Sequence, residues 1–414
     1  MQAMIPYGPR LWAMILLVFF FSNFAARAED GASWDCPILP SESESRIDPK
    51  TGVDLLFVTT HAGEDQNLYF HQRSWLPDES LLVFLSNRDG RMEPYGYIEA
   101  TGQLARLGFP DRPGASGLTA SRFRNSLFGY RPDGVFEWTL EVSTGEDSDP
   151  PKAGVRVTER RIGVFPEGFD PIGTITENAD GTQLSLILKH QDQDQWDVVF
   201  FRVSDGALTR ICTTNWPVSH LQCSWDTPGL VMMARGYGGG DRVPLMSDEE
   251  YAAGEPHARI WFAGLSRSEP WPLHYQRPGE LVTHECWWIG DQVTFCGGYM
   301  PEESHVKVAH PLEGEIRIIG AGSWFPALSS AELAKRNWWH AAGSPDGNWV
   351  VADNWHGDIY LFNSRTTQPR PLSLGHRTYG GGPHPHVGWA PGSRRVVFTS
   401  NLRGNPDVCV ALLR

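Results

Sequence analysis

The chain has 414 residues, a formal charge of −14, and 17 tryptophans, 43 glycines and 31 prolines. That length suits one large domain or two ordinary ones. The acidic balance argues against nucleic acid as a partner, and an anionic ligand would need a local positive patch or a metal to overcome the global field.

The first residues read as an export signal. Arg10 precedes an apolar run, Leu11 to Phe21, which ends at Ala26-Arg27-Ala28. A basic start, a short apolar core and an A-x-A ending describe a signal peptide over residues 1–28. The run is too short for a membrane span, and no cysteine sits just after it to carry a lipid anchor. A periplasmic or secreted protein of residues 29–414 is expected. Losing Arg10 and Arg27, and no acids, moves the charge from −14 to −16. Six cysteines, Cys36, Cys212, Cys223, Cys286, Cys296 and Cys409, are too few for a disulfide scaffold. Cys212 and Cys223 are near enough in sequence to bridge in an oxidising compartment.

Beyond the signal, short Val/Leu/Ile/Phe/Trp runs alternate with polar residues and are cut by turn signals, which predicts an all-β chain. Leu55 to Thr60 is the first strand. A degenerate unit then recurs: an aromatic-containing strand, a Pro-Asp-Gly-like turn and two more strands. It fits residues 74–99, weakly 120–143, then 174–203, 220–262, 284–296, 340–353 and 386–413. About seven units at a spacing of roughly 45 to 60 residues fall in the propeller range. The last unit has only three strands, and Leu55 to Thr60 is free to supply the fourth. The expectation is one seven-bladed β-propeller, closed by an N-terminal strand pairing with the last blade. Gly236 to Pro256 is an insertion of a length usual for functional lids or disordered segments. Ser329 to Arg336 reads as a short helix.

Histidines mark the unit starts. His220, His284, His340 and His386 each fall at or just before a first strand, the strand that lines a propeller's channel. His384 stands beside His386 in His-Pro-His, and His71 precedes the first unit. One such histidine by itself is more often a packing or turn-capping residue. Together they point to an axial site. His284, His384 and His386 are candidate ligands of a divalent metal, since borderline metals accept three imidazoles plus one further donor. Cys296 is the candidate fourth ligand: a three-residue turn at Ile289-Gly290-Asp291 places it opposite His284. A turn shifted by one residue instead opposes Cys286 and Cys296, where a disulfide competes. His220, Arg235 and Tyr237 form a candidate catalytic group, with arginine on a carboxylate and a base beside it. Arg235 is as readily a structural residue at a blade corner. His71 and His340 are candidate substrate contacts.

Five stretches carry a family resemblance: His71-Gln-Arg-Ser-Trp-Leu-Pro-Asp, His220-Leu-Gln with Arg259-Ile-Trp, His284-Glu-Cys-Trp, His340-Ala-Ala-Gly-Ser-Pro-Asp-Gly, and His384-Pro-His with Phe398-Thr-Ser-Asn and Gly404-Asn-Pro-Asp-Val. In these the chain resembles the oligogalacturonate lyases and the related ulvan lyases, seven-bladed propellers that cleave uronate-containing polysaccharide. The resemblance covers most of the mature chain and is weak between about Gly102 and Arg210. It implies an exported, monomeric polysaccharide lyase acting by β-elimination on an acidic, uronate-containing glycan. It also implies manganese held by His284, His384 and His386. Gly381 stands where the oligogalacturonate lyases place a glutamine ligand, which favours the zinc-like, cysteine-containing site of the ulvan lyases. Their base motif, Cys-His-Glu-Gly, is replaced here by Ala234-Arg235-Gly236-Tyr237, leaving His220 or Tyr237 as the base. A non-catalytic TolB-like propeller that binds a protein or glycan in the periplasm is the competing expectation.

Overall fold

Strands such as Leu81–Ser86 and Val293–Gly298 are apolar along almost their whole length and buried on both faces. A strand of that kind needs a sheet packed against each side. The computed structural model supplies it with seven antiparallel sheets arranged as a propeller. It describes residues 30–108, 114–145, 152–236, 242–254, 256–300, 302–376 and 384–414. Residues 1–28, the expected signal peptide, lie outside the described residues.

The innermost strands, in blade order, are Asp65–Asn67, Ser116–Ala120, Phe169–Glu177, Val218–Cys223, Leu281–Trp287, Trp338–Gly343 and Gly388–Trp389. Seven apolar clusters fill the spaces between neighbouring blades, so the core is a ring of layers. Tryptophans lock those layers. The indole of Trp287 donates to Gln222 O (3.0 Å), that of Trp288 to Ser344 O (2.8 Å) and that of Trp389 to Ala342 O (2.9 Å), each across a blade boundary. The Ser344-Pro-Asp-Gly turn closes by Gly347 N donating to Ser344 O, with Gly347 at φ 75°, where only glycine avoids strain. In the insertion of the fourth blade, Asp248–Ala253 is a single capped helical turn. Ser330–Ala334 is the second short helix.

Closure is as expected. Asp54–Phe57 pairs with Asp407–Leu412, with Cys409 opposite Phe57 and Ala411 opposite Leu55. The sequence pattern did not reveal how far the N-terminal segment travels. Glu44–Ile47 lies outside Asp54–Phe57 in the last blade, Ile38–Leu39 edges the first blade, and Asp30–Asp35 edges the second. Residues 30–57 therefore strap the outer edges of three blades across the seam and cover strands that would otherwise be open. Among the described residues no helix is long and apolar enough to cross a membrane.

All six cysteines are free and buried. The bridge between Cys212 and Cys223 that their sequence proximity allowed is absent. Cys212 lies on the outermost strand of the third blade, Leu208–Thr214, and Cys223 on the innermost strand of the fourth.

Phe57 is fully buried in the layer between the sixth and seventh blades. Phe57→Ala is expected to cost about 3–5 kcal/mol, read as a lower urea midpoint with an unchanged slope.

Candidate active site

The innermost strands do not run straight. Each of two carries one extra residue relative to its neighbour: Ser219 faces Ala234 while Gln222 faces Met232, and Thr283 faces Cys296 while Cys286 faces Thr294. These are β-bulges, which re-aim side chains at sites. The residue thrown out is His220 in one and His284 in the other, at φ 47° and 51°. His386 repeats the conformation at φ 48°. A left-handed backbone is uncommon for histidine, and its recurrence at equivalent points of three blades marks a constraint at the axis.

A plug fills that axis. After Asp65–Asn67 the chain leaves the sheet, turns with Gln72 N donating to Tyr69 O (2.7 Å), and rejoins through a bridge between Trp75 and Leu82. The plug brings Tyr69, Phe70 and His71 against the histidines of four blades. Ring centroids lie 4.7 Å apart for Tyr69 and His386, 5.5 Å for His71 and His220, 5.9 Å for Phe70 and His284, and 5.2 Å for Phe70 and His340.

His220 is held as a base would be. Its Nδ1 lies 2.8 Å from Glu285 Oε1. A carboxylate only accepts, so Nδ1 carries the proton and Nε2 keeps its lone pair. The hydroxyl of Tyr69 is 3.4 Å from that Nε2. Arg259 Nε donates to Glu285 Oε2 at 2.9 Å. Burial alone would raise the Glu285 carboxyl, yet Arg259 and His220 beside it hold it well below the usual carboxylate range.

A second cluster adjoins it. His340 lies 4.2 Å from His284, 4.8 Å from His386 and 5.6 Å from His384, centroid to centroid. Asp353 accepts from the His340 backbone N–H (2.7 Å) and lies 2.9 Å from its Nδ1, leaving Nε2 as the acceptor. Burial pushes Asp353 up to about 7. Burial, then repulsion from neighbouring imidazoles, holds His284, His340 and His386 well below the usual histidine range. Neutral imidazoles, one backed by a carboxylate, are the donor chemistry that a divalent cation takes. In kind, the residues fit. Among the described residues the donor atoms do not converge on one point as a group of three or more. Residues 377–383, which include Gly381, three residues before His384, lie outside the described residues.

Several sequence expectations change here. The turn at Ile289-Gly290-Asp291 has three residues, Trp288 N donating to Gln292 O, but the bulge shifts the register and Cys296 opposes Thr283. Cys296 is fully buried in the apolar layer between the fifth and sixth blades and is not among the clustered imidazoles. Cys286 opposes Thr294, so the alternative of a Cys286–Cys296 pair is also gone. Arg235 reaches the same rim as Val218, but its guanidinium lies over Trp216, 5.8 Å from the centroid. The arginines lining the cavity are Arg242 and Arg259. Tyr237 lies outside the described residues. His71 does line the cavity, and among the described residues neither of its ring nitrogens has a hydrogen-bond partner. Sequence reasoning missed Tyr69, Arg259, Glu285 and Asp353 as site residues. The available signal was a charged residue inside an apolar strand, as in Thr-His-Glu-Cys-Trp and Val-Val-Ala-Asp-Asn.

The cavity at this mouth has a volume of about 710 Å³ and is bordered by His220, His284, Arg242 and the indoles of Trp339 and Trp355. No protein-family model and no curated protein matches the chain. Solved structures do. An oligogalacturonate lyase in complex with manganese superposes with a TM-score of 0.70 at 19% identity, over 92% of this chain and 98% of that one. The oligogalacturonate lyase of Vibrio parahaemolyticus gives 0.69 at 18%, with the same coverage. U3-55K gives 0.53 at 9% over 89% of this chain and 100% of that one. The chain has the fold of the oligogalacturonate lyases. At these identities the likeness is one of fold, and the chemistry of an oligogalacturonate lyase has to be argued from the side chains above.

Glu285 tests the electrostatic frame. Glu285→Gln removes the buried carboxylate shared by Arg259 and His220 and is expected to cost about 3–5 kcal/mol near neutral pH. The folded carboxyl titrates below its unfolded value of about 4.3, so its contribution is present above that pH and lost below it. The stability gap between wild type and Glu285→Gln in urea titrations is expected to narrow as the pH falls below about 4.

Proposed function

We propose that the protein is an exported polysaccharide lyase that cleaves a uronate-containing glycan by β-elimination. The observation that carries this reading is the Arg259–Glu285–His220 chain, which fixes an imidazole lone pair at the mouth of the cavity with a phenol hydroxyl beside it. His220 Nε2 takes the proton from C5 of the uronate. The electron pair moves into a C4–C5 double bond, and the oxygen on C4 leaves with its bond pair. Tyr69 is the nearest hydroxyl able to protonate that oxygen. Arg259 is already paired with Glu285, so it orients the base and is not a clamp for substrate. Arg242, bonded to the carbonyls of Gly279 and Met300, is the arginine placed to meet the uronate carboxylate. Tyr69 and Arg242 thus take the roles expected of Tyr237 and Arg235.

A divalent cation held by His284, His384 and His386, with His340 replacing Cys296, would neutralise the uronate carboxylate and so lower the acidity barrier at C5. The Trp339 and Trp355 indoles at the rim suit sugar faces. The signal-like pattern of residues 1–28 supports a reaction in the periplasm or outside the cell.

Incubating the protein with a panel of uronate polymers should produce absorbance at about 235 nm from the unsaturated product, and His220→Ala should lower the rate about a hundredfold or more. Tight glycan binding without that absorbance on any polymer would leave a non-catalytic binder instead. Metal analysis separates the ligand sets: His384→Ala and His340→Ala lose bound divalent metal, and Cys296→Ser keeps the wild-type content.

A further inference from the structure

The plug divides the axis into two mouths. The histidine mouth is bordered by the starts of the innermost strands. The opposite mouth is bordered by their ends and by the turns that follow, and it holds a separate cavity of about 270 Å³. Its walls include Phe70, Trp75, Trp225, Ile289, Trp389 and Val397. Into this apolar space project two guanidinium groups, Arg73 and Arg122.

Arg73 is the unusual one. Its backbone is pinned to the second blade, with Arg73 N donating to Thr119 Oγ1 (3.1 Å) and Arg73 O accepting from Ala120 N (3.0 Å). The guanidinium lies over Trp225, 5.7 Å from the centroid. Among the described residues it has neither a hydrogen bond nor a carboxylate partner. Arg122 lies over the same ring at 5.6 Å and spends Nη1 on Trp225 O (2.8 Å). The nearby acid, Glu177, is already committed. It accepts from Ser121 Oγ (2.9 Å), Arg122 N (2.8 Å) and Arg124 Nη2 (3.1 Å). Burial, and then repulsion from Arg122, pushes Arg73 down to about 9. A partly buried guanidinium with no hydrogen-bond partner, lining a mostly apolar cavity, is suited to an anion that enters it. A chain with a net charge of −14 has no shortage of carboxylates, yet among the described residues none is hydrogen-bonded to Arg73, and Glu177 acts on it only from a distance.

We propose that this turn-side mouth is a second binding site, for a small single-ring monocarboxylate whose carboxylate pairs with Arg73 and whose ring packs against Trp225 and Trp389. The volume admits one ring and not a chain. Guanidinium gives a carboxylate a two-pronged partner, and indole faces suit either a sugar ring or an aromatic one. The site is separate from the lyase chemistry and does not rest on it, since Phe70 and His71 stand between the two cavities.

The test is calorimetric titration of the full chain with galacturonate and benzoate, against their neutral counterparts galactose and benzyl alcohol. Saturable binding of at least one carboxylate, at least tenfold tighter than its neutral counterpart, is the expected result; which acid binds tells a sugar source from an aromatic one. Arg73→Gln should weaken that binding at least tenfold, and His384→Ala, at the other mouth, should leave it within twofold. If Arg73→Gln does not fold, Ile289→Trp fills the cavity with the charge intact and should abolish binding equally. Absence of saturable binding by both acids overturns the proposal. So does equal binding of the neutral counterparts, indifference to Ile289→Trp, or loss in His384→Ala.

Discussion

The structure depends on how its axis is filled. Seven blades leave a central channel that their own innermost strands do not close, and an unfilled apolar channel forfeits packing along its whole length. Leu68–Ser74 solves this by leaving the first blade and standing Tyr69, Phe70 and His71 in the channel. The first blade consequently keeps only Asp65–Asn67 as a regular inner strand, with one bridge at Trp75. The histidines of the fourth to seventh blades pack against rings, not water, and burial is what keeps three of them neutral. The same plug separates the two mouths, so one short segment sets the site's depth, its dielectric character and its isolation from the opposite face.

The bulges are the second half of that arrangement. A regular strand alternates its side chains between the two blade interfaces, and neither direction is the axis. One extra residue in a left-handed conformation turns the side chain inward. His220 and His284 use this device, and His386 shares the left-handed conformation. It also explains why Glu285 is available to His220: the residue after the bulge in the fifth blade falls beside the bulge of the fourth. Arg259, just before the third strand of the fourth blade, then completes the charge balance in the interior. A buried carboxylate with one cation and one imidazole is tolerable where a lone carboxylate is not.

Much of the fold was legible because its signals are local and repeated. Turn residues, apolar runs and the three-stranded last unit predicted seven blades and their closure by Leu55 and its neighbours. The straps Asp30–Asp35 and Ile38–Leu39 were not legible, since short edge strands carry little apolar pattern. In the site, the gathering of histidines followed from their position at unit starts. The partners did not. Register was the obstacle: the turn length at Ile289-Gly290-Asp291 was read correctly, but a bulge leaves no mark in composition, and a shift of one residue sends Cys296 to a blade interface. Arg235 failed for a related reason. It stands at the predicted rim, but the nearby Trp216 face holds its guanidinium, and the arginine that meets Glu285 comes from just before the next strand.

The arginines show how an acidic chain prepares for anionic ligands. Global charge repels a uronate polymer, so attraction must be built locally, where the dielectric is low. Arg259 is neutralised by Glu285 and therefore serves geometry: it fixes the carboxylate that fixes His220. Arg242 is bonded to carbonyls, which orient a guanidinium without cancelling its charge, and so it retains the field that a carboxylate would feel. Arg73 is left with an aromatic face alone. The three differ in what satisfies them, and that difference, more than their number, decides which positions hold structure and which await a ligand.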